Sequence, residues 1–221
     1  MSDKPPVGGV RFGDFDRIDP IGAHFSRGRG TSVDRFYIAR FLEQHSADVK
    51  GRVLEIEENR YASQFGGDRV TRVDVLDIWP ENPRATIIGD LVSSDTLPRA
   101  SFDCIICAQT LQFIYDARAA IASLHAALKH GGVLLATMPG ISQVQSETGE
   151  VHWSFTRASA ARMFGDVFGK EHVAAESHGN VFAAVCMLHG VAAQEAPQEK
   201  LIYQDDAYPV IVAVRAVKGA A

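Results

Sequence analysis

The stretch Arg52-Val-Leu-Glu-Ile-Glu-Glu-Asn59 constrains this chain more than any other. Val53, Leu54 and Ile56 form a short apolar run, the pattern of a strand buried on both faces of a parallel sheet. Glu55 interrupts that run and needs a partner, because an unpaired carboxylate in a core is expensive. In open α/β sheets, ligands bind in the crevice beyond the carboxyl ends of the strands. A first strand that ends among acids therefore marks the first place to look for a site.

Downstream, the pattern alternates between strands and helices. Strands are expected at about 52–56, 70–75, 85–88, 102–108, 133–137, 172–177 and 209–217. Helices are expected at about 33–47, 116–129, 157–168 and 181–195, from apolar residues at helical spacing such as Val33, Tyr37 and Phe41. Thr31-Ser-Val-Asp supplies capping chemistry for the first helix and Thr156 for the third. Trp79-Pro-Glu-Asn-Pro83 is a loop, since two prolines forbid helix. Gly131-Gly132 is the expected stop of the second helix. The alternation predicts an α/β fold, a mostly parallel sheet with helices on both faces. Residues 1–30, rich in Gly, Asp, Arg and Pro, are either a surface-draped arm or a lid, with Phe12, Phe15 and Phe25 needing something to cover. Residues 31–221 form the single domain.

The bulk numbers exclude several classes. The 221 residues suffice for one substantial core. The formal charge of -5 argues against a sequence-independent nucleic-acid binder, which would show a basic stripe. No apolar run approaches the roughly 18 residues of a membrane span, and the N-terminus lacks a signal-peptide layout. Cys104 and Cys107 have CxxC spacing but lie within an expected strand, where residues three apart point to opposite faces. Buried thiols are the better reading, no metal site is expected, and cysteine usage points to a reducing cytoplasm.

Acids follow three consecutive strands: Glu55 and Glu57, Asp74, and Asp90. Each alone is more often a solvated loop residue or a cap; their joint placement raises the functional reading. Here the sequence resembles the class I S-adenosylmethionine-dependent methyltransferases, in particular a small group associated with polysaccharide or glycosylated-metabolite biosynthesis. Gly51-Arg-Val-Leu-Glu-Ile56, Arg69-Val-Thr-Arg-Val-Asp-Val75, Ile88-Gly-Asp-Leu91, Leu97-Pro98 with Ser101-Phe-Asp103, and Gly131-Gly-Val-Leu-Leu135 carry the resemblance. It implies a Rossmann-like seven-stranded sheet with an N-terminal helical lid and S-adenosylmethionine as cofactor. Glu55 and the backbone from Ile56 through Glu57 to Asn59 would hold the methionine end. Asp74, with Val75, would bind the ribose diol, Asp90 and Leu91 the adenine edge, and Gln109 would close over the sulfonium.

One departure stands out. The family's E-x-G-x-G turn, in which glycine lets the backbone approach the ligand, reads Glu55-Ile-Glu57-Glu-Asn59 here. Either the loop takes another course or binding weakens. For transfer to a hydroxyl, His152 is the candidate general base, against a default of an ordinary surface histidine; His24 and His178 are weaker candidates. Tyr115, Trp153 and His24 are candidate acceptor-binding residues, with packing as the default for the two aromatics. The expected partner is a small-molecule acceptor, a sugar unit or glycosylated metabolite, with homodimerisation left open. The competing class is a non-catalytic binding or scaffold protein that keeps the fold.

Overall fold

The computed structural model describes residues 4–22, 25–26, 28–144 and 149–219. Among them, seven strands form one sheet: β1 (Gly51–Ile56), β2 (Val70–Asp77), β3 (Ile87–Ile88), β4 (Phe102–Ala108), β5 (Leu128–Pro139), β6 (Val173–His178) and β7 (Ile211–Val217). Their spatial order is β3-β2-β1-β4-β5-β7-β6. The contacts among β3, β2, β1, β4 and β5 are parallel, whereas β7 runs antiparallel to both β5 and β6. The expected α/β architecture is thus observed, with chain order reversing at β1, the switch point where such folds open a crevice.

Each face of the sheet carries its own core. On one, α2 (Ala117–Ala127) and α3 (Arg157–Phe168) pack Ile121, Leu124, Phe164 and Phe168 against Leu54, Leu76, Ile105 and Cys107. On the other, α1 (Val33–Gln44), α4 (Val181–Leu188) and α5 (Gln198–Ile202) cover Val53, Cys104 and Ile106. Cys104 and Cys107 therefore enter opposite cores, as strand alternation requires, and all three cysteines are free and buried. Helix α1 turns Val33, Tyr37, Ile38, Phe41 and Leu42 inward; each such side chain contributes about 1.5–3 kcal/mol of burial. The Tyr37 hydroxyl, buried with them, donates to the Leu201 carbonyl at 2.8 Å.

Several boundaries differ from expectation. Ser32 takes the N-cap position of α1, but its hydroxyl donates to Asp34 instead of accepting a backbone N–H. Helix α1 stops at Gln44, and the following turn is drawn to the sheet by Asp48, which Arg215 grips at 2.7 and 3.0 Å. Gly131 and Gly132 lie inside β5; α2 has already ended at Ala127, and Gly131, at φ 75°, donates its N–H to Lys218 O. Helix α4 ends at Leu188 rather than near 195, because Gly190 turns left-handed at φ 62° and presses on Gly22. Thr156 does cap α3, forming a reciprocal capping box with Ser159. Strand β2 runs two residues past its expected end, to Asp77.

Candidate functional site

The carboxyl ends of β1, β2 and β4 and the loop after β3 meet along one edge. Glu55 is buried on β1, and its partner is the backbone. Its two carboxylate oxygens accept the Tyr61 N–H at 3.0 Å and the Ala62 N–H at 2.8 Å, stapling the helical turn after β1 to the strand. Burial raises its pKa to about 7 against the pull of these two bonds. Glu55 thus shapes the loop, each of its oxygens holding one backbone N–H. Ile56 is half-buried, and the Asn59 carbonyl accepts from Ser63.

Immediately after β1, Glu57 sits at φ 67°. Its N–H donates to Leu76 O at 2.9 Å, and the next N–H, of Glu58, returns to Ile56 O at 2.8 Å. A bond from residue i+2 back to i closes a γ-turn, with Glu57 at its centre. The left-handed backbone that glycine would adopt is therefore kept without glycine.

In the parallel register, Glu55 lies beside Val75 and Ile56 beside Leu76. The residue level with Glu57 is consequently Asp77, with Asp74 further back along β2. Asp74 lies three residues short of the strand end, 1% exposed, between Arg52 Nε at 2.7 Å and an Arg72 guanidinium nitrogen at 2.8 Å. Burial works to raise its pKa, but the two guanidiniums outweigh that and hold it below the usual carboxylate range. Val75 beside it is buried within the strand. At the strand end, Asp77 accepts the Trp79 N–H at 2.9 Å and Asn82 Nδ2 at 2.6 Å. The same Asn82 nitrogen donates to Glu57 O at 2.8 Å, tying the two strand ends together. Ile78, next in sequence, exposes apolar surface at this edge.

After β3, Asp90 accepts the Val92 N–H at 2.9 Å through one oxygen and is otherwise exposed, whereas Leu91 is buried in the core. At the end of β4, Gln109 adopts φ 53° and donates its N–H to Thr137 O at 2.8 Å. Among the described residues, Gln109 Nε2, Gln112 Oε1 and Thr137 Oγ1 are buried without hydrogen-bond partners. Three unpaired polar atoms at one strand edge are unusual, because such groups are nearly always satisfied.

The structure brings three expected acceptor-side residues together. His152 N–H donates to Gln112 O at 2.8 Å. Trp153 Nε1 reaches the carbonyls of Ile114 and Tyr115 at 3.1 and 3.2 Å. Tyr115 stacks on Trp153 at 5.9 Å and meets the His152 ring edge-on at 5.6 Å. His24 lies outside the described residues. His178 is not part of this group: it packs on Tyr37 at 6.1 Å, and burial lowers its pKa.

Sequence reasoning missed Asp77, Ile78, Asn82 and Arg35. Arg35, on α1, donates to the Tyr61 hydroxyl at 2.7 Å and acts electrostatically on Glu57 and Glu58. Leu76, followed by Pro80 four residues on, was the available signal that β2 continues to Asp77; nothing local marks Arg35.

Residues 39–136 match the methyltransferase domain family. No curated protein matches the sequence. Among solved structures, one similar fold is an S-adenosylmethionine-dependent methyltransferase from Archaeoglobus fulgidus, with 11% identity, TM-score 0.56, and 85% of this chain and 95% of that one covered. A second is 1,6-didemethyltoxoflavin-N1-methyltransferase from Burkholderia thailandensis, solved with bound 1,6-didemethyltoxoflavin and S-adenosylhomocysteine, with 15% identity, TM-score 0.54, and 85% and 79% covered. A third, the [4+2]-cyclase SpnF, has 16% identity, TM-score 0.52, and 93% and 88% covered. The chain has the methyltransferase fold.

Proposed function

We propose that the chain is an S-adenosylmethionine-dependent methyltransferase acting on a hydroxyl of a small molecule, such as a sugar or glycosylated metabolite. One observation carries the cofactor reading: the γ-turn at Glu57 and the Asp77 carboxylate close two adjacent strands at the switch point, bridged by Asn82. The residues present fit the cofactor. Asp77, at the end of β2, takes the ribose diol in place of Asp74, which lies three residues back along the strand and is buried between Arg52 and Arg72. Ile78 lies against the adenine face, and the free oxygen of Asp90 with the Leu91 backbone meets its polar edge. Arg35 is the cation available to the methionine carboxylate, and the unpaired Gln109 Nε2 is a buried donor awaiting an acceptor.

S-adenosylmethionine supplies a methyl group activated on a sulfonium. The protein's own contribution is alignment and exclusion of water. The Tyr115–Trp153 stack presents a flat platform for a ring-shaped acceptor, and His152, hinged to Gln112 beside it, is placed to take the hydroxyl proton. Residues 1–30 act as the lid.

Calorimetry with S-adenosylmethionine and S-adenosylhomocysteine tests the cofactor reading. The Asp77→Ala variant is expected to lose at least about tenfold in affinity, about 1.4 kcal/mol, with the fold intact. An unchanged affinity would place the ribose elsewhere. The second reading, a scaffold or other chemistry on the same fold, draws support from Glu57 in the glycine's place; absence of binding of either compound at millimolar concentration would favour it.

A further inference from the structure

Glu57 holds a backbone conformation that glycine would adopt freely. A γ-turn whose central residue has a positive φ, as Glu57 does at 67°, is the rare and strained kind. Its surroundings over-determine it: the Leu76 carbonyl accepts the Glu57 N–H, and Asn82 donates to the Glu57 carbonyl while also holding Asp77. Strain of this kind persists where the surrounding structure enforces it, characteristically at ligand sites. Since glycine would relieve it, the side chain is the feature that needs an explanation. That side chain is exposed on the cleft edge. Asp77 and Glu58 act on it as like charges and Arg35 as the opposing cation. Desolvation at the turn and then Asp77 raise its pKa, while Arg35 pulls it down.

Resting on the cofactor reading above, we infer that Glu57 reads the charge of the bound cofactor, its carboxylate favouring the cationic sulfonium of S-adenosylmethionine over the neutral thioether of S-adenosylhomocysteine. The two molecules share adenine, ribose and amino-acid end, and differ by one methyl group and one positive charge. A residue that senses the ribose or the ammonium changes both affinities alike. A residue that senses the sulfonium changes their ratio. In a cleft partly withdrawn from water, a carboxylate–cation attraction exceeds its value in bulk solvent. The same attraction vanishes once the methyl group has left, which assists release of the product.

Titration calorimetry of both compounds against the wild type, Glu57→Gln and Glu57→Gly decides the matter, with circular dichroism to confirm folding. The wild type is expected to prefer S-adenosylmethionine. In Glu57→Gln that preference falls about tenfold, while affinity for S-adenosylhomocysteine is maintained. Glu57→Gly, whose turn is unstrained, shows the same loss of preference and keeps the test available if the glutamine variant does not fold. Equal losses for both compounds, or an unchanged ratio, would overturn the inference. If neither compound binds the wild type, the cofactor reading itself fails, and the inference with it.

Discussion

A buried acid gives the most direct test at the residue scale. Glu55 looked, in sequence, like a core carboxylate lacking a partner, and the partner is two backbone amides six and seven residues on. Its pKa, raised to about 7, means that the folded state binds its proton more tightly than the unfolded chain. Stability must then fall as pH rises from the unfolded value toward 7, by up to about 3 kcal/mol, since each tenfold gain in proton affinity on folding is worth about 1.4 kcal/mol. Glu55→Gln removes the titration, so its urea midpoint is expected to vary less between pH 5 and 7.5 than that of the wild type. Equal slopes would mean that the carboxyl is not buried as described. The sequence made this residue conspicuous because it broke an apolar run. Nothing in the sequence made Glu57 left-handed; that follows from the hydrogen bonds with Leu76 and Asn82, which join segments about twenty residues apart.

Among elements, strand existence was legible and strand ends were not. Val53-Leu54 and Cys104-Ile105-Ile106 are apolar on both faces, which only a central strand requires. The end of β2 depends on its register with β1 and β3: Thr86 and Gly89 donate their N–H groups to Val75 and Asp77 carbonyls and extend the ladder past residue 75. That extension leaves Asp74 inside the strand, paired with Arg52 and Arg72, and puts Asp77 at the strand end. The Asp74→Ala variant is expected to lose roughly 2 kcal/mol of stability, less than a fully buried pair because Arg72 is largely exposed. Its affinity for S-adenosylmethionine per folded molecule should be unchanged, the opposite of Asp77→Ala. If both variants lose affinity alike, the division of labour along β2 is wrong. Helix α4 shows the same limit from the other side. Its apolar periodicity runs on into Val191-Ala-Ala193, but Gly190 ends the helix and Ala193 donates instead to the Thr31 carbonyl.

For the whole molecule, the proposed lid is the arm that leads into α1. Among the described residues, it is held by the Gly22 N–H to His189 O at 2.9 Å, by Phe15 against the His189 ring at 4.8 Å, and by Arg29 paired with Glu195. A cleft of about 740 Å³ separates it from residues 191–195, with Arg11, Phe12 and Arg17 on its wall. Most of its residues are exposed, and neither core draws on them, so it opens at little cost to the rest of the protein. Arg35 shows that the start of α1 reaches the edge where Glu57 and Glu58 sit, and the arm feeds directly into α1. In the proposed function this segment closes over the ligand. Trypsin should therefore cleave after Arg11 and Arg17 well before it attacks the domain, leaving a folded product. S-adenosylmethionine together with a bound acceptor should slow these cleavages, because closure lowers the open population that the protease reads. Protection spread evenly over the whole chain would indicate general stabilisation by the ligand, and unchanged cleavage at the two arginines would make the arm a passive wrapping.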